Sequence, residues 1–99
     1  MFVRASRVSF AKEDDAPIQL YNEKIKPMWS SQPGFHSIQR FEIVDGPHKG
    51  QEMNVLRFDS QDSYDKATKA LAEQREALKK DLDAAGVKIE ETLLLNEVS

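Results

Sequence analysis

Phe35-His36-Ser37-Ile38-Gln39-Arg40-Phe41-Glu42-Ile43-Val44 and Gln51-Glu52-Met53-Asn54-Val55-Leu56-Arg57-Phe58 flank the polar loop Asp45-Gly46-Pro47-His48-Lys49-Gly50 at the centre of the chain. The first flank is rich in β-branched and aromatic residues, the second carries Met53, Val55, Leu56 and Phe58 without Gly or Pro, and the connector has two glycines and a proline, so the passage predicts two strands joined as a hairpin. In a sheet with one solvated face, one alternating set of side chains is polar. Here Ser37, Gln39, Phe41 and Ile43 alternate with His36, Ile38, Arg40, Glu42 and Val44, while Met53 and Val55 oppose Leu56 and Phe58. Both faces are mixed, so both need cover.

Outward from the hairpin, each side predicts a helix and then a strand. Before it, Pro33-Gly34 suits the two central positions of a type II turn. Ile18, Tyr21, Ile25 and Met28 recur at helical spacing, with Leu20 and Trp29 widening the stripe. This helix starts near Ala16, after the acidic Glu13-Asp14-Asp15 cluster and with Pro17 in its first turn. Pro27 removes a backbone donor, so the helix is expected to kink or finish irregularly there. After the hairpin, Ser60 caps one long helix carrying Tyr64, Ala67, Leu71, Leu78, Leu82 and Ala85. Asp62 with Lys66, Asp65 with Lys69 and Glu76 with Lys80 are candidate i,i+4 ion pairs on its exposed face. Gly86 supplies the left-handed stop. The outermost segments, Phe2 to Phe10 and Val87 to Val98, have strand chemistry.

The order strand, helix, strand, strand, helix, strand predicts an α+β, ferredoxin-like βαββαβ fold: an antiparallel sheet with both helices on one face. Leu93-Leu94-Leu95 sends hydrophobes to both sides of the last strand. A second copy packing sheet against sheet would cover the open face, and the last strand could extend the partner's edge; a symmetric homodimer is therefore expected.

Composition narrows the function classes. The 99 residues suit a single domain over 1–99, and 39% hydrophobic with 31% charged residues predicts a soluble globule rather than a membrane protein. A net charge of -3 is the wrong sign for phosphate-driven nucleic-acid binding, and the lack of cysteine excludes disulfides, thiolate zinc sites and cysteine nucleophiles. Met1-Phe2-Val3 runs directly into Arg4 and Arg7 without a secretory apolar stretch, so the cytoplasm is the expected compartment. No phosphate loop, dinucleotide turn or nucleophile elbow is present. The third strand also lacks the Gly-aromatic signature of RNA-recognition domains.

The strand Phe2-Val3-Arg4-Ala5-Ser6-Arg7-Val8, the turn Pro33-Gly34-Phe35 and the strand-to-helix passage Val55-Leu56-Arg57-Phe58-Asp59-Ser60-Gln61-Asp62-Ser63-Tyr64 together resemble the antibiotic biosynthesis monooxygenase-like family. That family belongs to the dimeric α+β barrel superfamily, whose stress-responsive members share much of the pattern. The resemblance implies two sheets meeting face to face in a homodimer, and a ligand cavity between each sheet and its helices. It also implies cofactor-free oxygenation of polycyclic phenols or quinols, or, in one branch, oxidative heme breakdown. The heme branch uses an Asn on the first strand and a Trp and a His on the second helix. This chain has Ser6 at the first position, Ala67 near the second and no His on that helix, so that branch is disfavoured. Trp29 sits on the first helix and does not take over the role.

His36 is the candidate general acid or base, because imidazole exchanges protons near neutrality; the alternative is a packed or partly exposed histidine. His48 reads as a solvent-exposed loop residue. Neither His belongs to a recognised metal motif, and no metal or other cofactor is expected. Arg4, Arg7, Arg40 and Arg57 fall in strands, where a guanidinium needs a carboxylate or an anionic ligand. Glu42, Glu52, Glu90 and Glu91 are the candidate carboxylates, and Arg40 is the candidate positioning group. Trp29 and Tyr64 are candidates to wall an aromatic-substrate pocket, which core packing explains equally well. Asn22 reads as exposed, and Asn54 is open between the two roles. Two functions follow: a cofactor-independent monooxygenase acting on an aromatic, phenolic or quinol-type molecule, or a non-catalytic dimeric small-molecule-binding or stress-responsive α+β barrel protein.

Overall fold

The computed structural model describes residues 1–12 and 14–98; Glu13, the first residue of the predicted acidic cluster, and Ser99 lie outside the described residues. Strands β1 (Phe2–Phe10), β2 (Phe35–Glu42), β3 (Glu52–Phe58) and β4 (Val87–Asn96) form one four-stranded sheet in the order β2-β3-β1-β4. All three pairings are antiparallel. This is the predicted ferredoxin-like arrangement. The hairpin strands are shorter than their composition suggested, because Ile43 already closes the loop: its N–H donates to the Gln51 carbonyl at 2.9 Å and its carbonyl accepts from Gly50 at 2.9 Å. β4 likewise ends at Asn96 rather than Val98.

Register decides which side chains face the helices. Phe2 lies opposite Phe58, Arg4 opposite Leu56 and Ser6 opposite Asn54. Alternation therefore puts all six on one face, with Val8. In β2 the pairing shifts between Phe35 and Ser37. That bulge lets Phe35 and Ile38, three residues apart, both pack against the core, and it turns Ser37, Gln39 and Phe41 to the opposite face.

The first helical region runs without a break through α1 (Ala16–Leu20), a π-helical turn (Tyr21–Ile25) and α2 (Lys26–Ser30). Pro27 has no N–H to offer the Glu23 carbonyl one turn back, and the turn before it widens until the Lys26 N–H bonds the Tyr21 carbonyl. The irregularity foreseen at Pro27 thus falls ahead of it. Pro33-Gly34 makes the expected turn, with the Phe35 N–H donating to the Gln32 carbonyl at 3.2 Å and Gly34 at φ +83°. A Cβ at Gly34 would lie 2.6 Å from the Ser63 Cβ, so this tight contact between the turn and the next helix needs glycine.

α3 (Gln61–Ala70) is capped as predicted: the Ser60 hydroxyl oxygen accepts from the Ser63 N–H at 3.2 Å. The predicted single long helix is instead bent at Leu71 (φ -98°, ψ 10°) and continues as α4 (Ala72–Ala84). The bend keeps Tyr64, Ala67 and Leu71 in the core, whereas no residue of α4 is fully buried. Asp62 pairs with Lys66 at 3.0 Å as expected, while Glu76 pairs with Lys79, also at 3.0 Å, instead of Lys80.

Phe2, Trp29, Leu56, Phe58, Tyr64, Ala67 and Leu71 form the core between sheet and helices. Trp29 meets Phe58 edge-on and lies nearly parallel to Tyr64, with ring centroids 6.0 Å apart in each case. On the opposite face Phe41, Leu93 and Leu95 remain 46, 41 and 45% exposed. No helix of the described chain is long and apolar enough to cross a membrane.

Candidate functional site

Between the helix-facing side of the sheet and the two helical regions lies a cavity of about 430 Å³. Its size is within the range of small-molecule sites. β1 and β3 form its floor through Arg4, Ser6, Asn54 and Leu56; Tyr21, Ile25 and Met28 form one wall; Thr68, Arg75 and Leu82 lie on the other side. The widened turn thus supplies Tyr21 and Ile25. Lys24 in that turn bonds Asp81 of α4 at 2.9 Å, tying the two helical regions together.

Three of the four strand arginines have partners. Arg40 grips Glu52 with two parallel hydrogen bonds, Nε to Oε1 at 2.8 Å and Nη2 to Oε2 at 2.7 Å. Arg7 donates to Gln51 at 2.6 Å and reaches Glu91 at 3.5 Å, and Arg57 donates to Gln39 at 2.6 Å. Arg4 has no carboxylate beside it among the described residues. Its guanidinium lies over the Trp29 ring, Cζ 4.9 Å from the centroid, and its Nε is buried without a hydrogen-bond partner. Burial lowers the proton affinity of Arg4 and the nearby Arg75 adds to that, while the Tyr64 phenol works against both. Asn54, left open in the sequence, also lines the cavity, and its Oδ1 is the second buried polar atom without a partner. Burial raises the pKa of the Tyr21 phenol, with the Arg40 charge acting in the other direction.

Trp29, Arg40 and Tyr64 all line this cavity. Trp29 and Tyr64 are also core residues, 1 and 8% exposed. His36 is elsewhere. It sits within the β2 bulge, exposed, with Nδ1 3.5 Å from the Ser37 hydroxyl, and does not line the cavity. His48 is exposed in the hairpin loop and Asn22 on the first helical region.

Sequence reasoning did not separate Arg4 from the other strand arginines, because their difference depends on cross-strand neighbours. Arg4 faces Leu56 and Leu94, whereas Arg7 faces Glu91. Arg75 was missed altogether. Its signal is the spacing four, three, four of Tyr64, Thr68, Leu71 and Arg75, which places a cation on the inward stripe of the second helical region.

No protein-family model and no curated protein matches the chain; similarity is found among solved structures. A dimeric ferredoxin-like protein from an uncultured marine organism shares 17% identity at TM-score 0.74, the match covering 100% of this chain and 96% of that one. A candidate antibiotic biosynthesis monooxygenase from Deinococcus radiodurans shares 15% at TM-score 0.72, covering 100 and 94%. A Streptomyces coelicolor monooxygenase, solved with nanaomycin D, shares 16% at TM-score 0.70, covering 99 and 88%. The chain has the ferredoxin-like α+β fold found in antibiotic biosynthesis monooxygenase-like and dimeric ferredoxin-like proteins.

Proposed function

We propose that the protein is a homodimeric, cofactor-independent monooxygenase acting on an aromatic, phenolic or quinol-type molecule. The observation that carries this reading is the roofed cavity, where Arg4 and Asn54 hold unmet hydrogen-bonding capacity beside the apolar surfaces of Ile25, Met28, Trp29 and Leu56. A buried polar group without a partner costs about 1–3 kcal/mol, so two of them in one cavity favour a ligand that completes their bonds. A side-chain-filled interior would have favoured the non-catalytic alternative. The fold shared with the Streptomyces coelicolor monooxygenase gives further support.

In this reading the substrate supplies the electrons. Loss of a proton makes its ring carbon electron-rich, and electrons pass from that carbon to dioxygen. In an anthrone one oxygen atom remains on that carbon as a carbonyl and the other leaves as water with the two hydrogens of the ring CH₂; in a hydroquinone one atom stays as a new ring hydroxyl and the other leaves as water, the product being the hydroxyquinone. The chain excludes water, orients the ring system and offers polar contacts where negative charge develops. Oxygen consumption with a panel of anthrones and hydroquinones tests the proposal: protein-dependent uptake that yields the quinone from an anthrone or the hydroxyquinone from a hydroquinone is expected, and uptake no faster than buffer overturns it.

A further inference from the structure

The charged groups of the cavity do not cancel. Arg40 is neutralised by Glu52 and Lys79 by Glu76, leaving Arg4 and Arg75 without an ion-pair partner among the described residues. Arg4 and Arg75 both approach the Trp29 ring, with Cζ 4.9 and 5.5 Å from its centroid. Two cations are therefore held close to one aromatic surface. Their mutual repulsion and the burial of Arg4 both disfavour charge there.

The two orphaned atoms are also complementary in kind. Arg4 Nε is a donor seeking an acceptor, and Asn54 Oδ1 is an acceptor seeking a donor. Arg4 lies opposite Leu56, and Asn54 opposite Ser6, so the two are diagonal neighbours across the β1–β3 pair. One small ligand can therefore meet both atoms.

We propose that the cavity selects an aromatic ligand bearing an anionic oxygen group beside a hydroxyl, with Arg4 binding the anion and Asn54 accepting from the hydroxyl. This rests on reading the cavity as the ligand site and adds the charge and donor pattern of what enters it. The Trp29 face fixes the guanidinium plane, so Arg4 presents a forked donor rather than a swinging point charge. Arg75 contributes long-range attraction from the rim. A neutral ligand of the same shape can accept a hydrogen bond from Arg4 but leaves its charge uncompensated.

The test is calorimetric titration of the intact protein with 3-hydroxy-2-naphthoate and its neutral counterpart 3-hydroxy-2-naphthamide. The wild type is expected to bind the carboxylate at least roughly tenfold more tightly, and Arg4→Met to bring the ratio close to one. Equal binding by the wild type, or a preference that survives in Arg4→Met, overturns the assignment. Asn54→Asp provides an arm that leaves Arg4 in place: the added carboxylate satisfies the guanidinium internally, so the preference is expected to collapse, and its persistence likewise overturns the assignment. If Arg4→Met does not fold, Asn54→Asp decides alone. Binding of both probes without preference removes only the anion assignment; failure of folded wild type to bind either removes the cavity reading as well.

Discussion

Arg40 on β2 and Glu52 on β3 form a two-pronged ion pair at one end of the cavity, with both hydrogen bonds at 2.8 Å or less. The two side chains are 26 and 20% exposed, and Arg40 also lies over the Tyr21 ring, 5.3 Å from its centroid. This pair holds the sheet against the first helical region and removes one cation from the cavity's charge balance.

Breaking the pair from one side leaves a partly buried charge alone, whereas removing both partners leaves none. Arg40→Ala and Glu52→Ala are each expected to lower stability by about 1–2 kcal/mol, after discounting for the solvent that reaches the pair. The double variant is expected to lose less than the sum. Urea unfolding of the three variants checks this, and strict additivity would show that the pair contributes nothing beyond its separate side chains.

Asp59 gives a pH dependence whose sign is fixed. Its pKa is lowered chiefly by the Ser63 hydrogen bond, which outweighs the opposing desolvation, with smaller contributions from the side-chain and backbone hydrogen bonds of Ser60. A carboxylate with a depressed folded pKa stabilises the fold above its unfolded value, near 3.9, and loses that contribution as the pH falls through the folded pKa. Asp59→Asn is therefore expected to shallow the fall in urea midpoint between about pH 5 and pH 2 and to change little in the slope above pH 6. Parallel curves for variant and wild type would contradict it.

Leu93 and Leu95 face away from the helices beside Ala5 and Val3, and with Phe41 they leave an apolar sheet face open in the single chain. A second copy on this face is part of the proposed function. Leu95→Asp is expected to convert a dimeric mass into a monomeric one in light scattering at micromolar concentration, because a buried unpaired carboxylate is costly. A wild-type protein that is already monomeric would rule out the dimer.

His36 has the side-chain chemistry of a general base but lies outside the cavity, which yields a direct expectation. His36→Ala is expected to keep wild-type oxygen uptake and wild-type binding of naphthoate probes. Loss of most of the uptake in this folded variant would return the proton-accepting role to His36 and move the reaction to the exposed start of β2.

The case of His36 shows where the sequence stops being legible. Periodicity, the Ser60 cap, the Pro33-Gly34 turn and the Gly86 stop each act over a few residues, so the order of elements and the sheet topology followed from them. The bulge after Phe35 depends on pairing with a strand more than a dozen residues away. It changes which of His36, Ile38 and Arg40 faces inward. Trp29, Arg40 and Tyr64 were found as aromatic and charged residues on structured elements, but the distinction between Arg4 and Arg7 required knowing their cross-strand neighbours. The bend at Leu71 was equally hidden, since backbone hydrogen bonds from Ala67 to Arg75 bridge it and leave the apolar spacing almost unchanged.

That bend divides the ceiling over the cavity into halves with unequal stakes in the fold. α3 is pinned by Tyr64, Ala67 and Leu71, whereas α4 has no fully buried residue and shares the Lys24–Asp81 link with the facing helix. The second half can lift at a small fraction of the free energy needed to unfold the whole chain. Backbone amides of α4 are therefore expected to exchange with solvent faster than those of α3, which the aromatic cluster holds down.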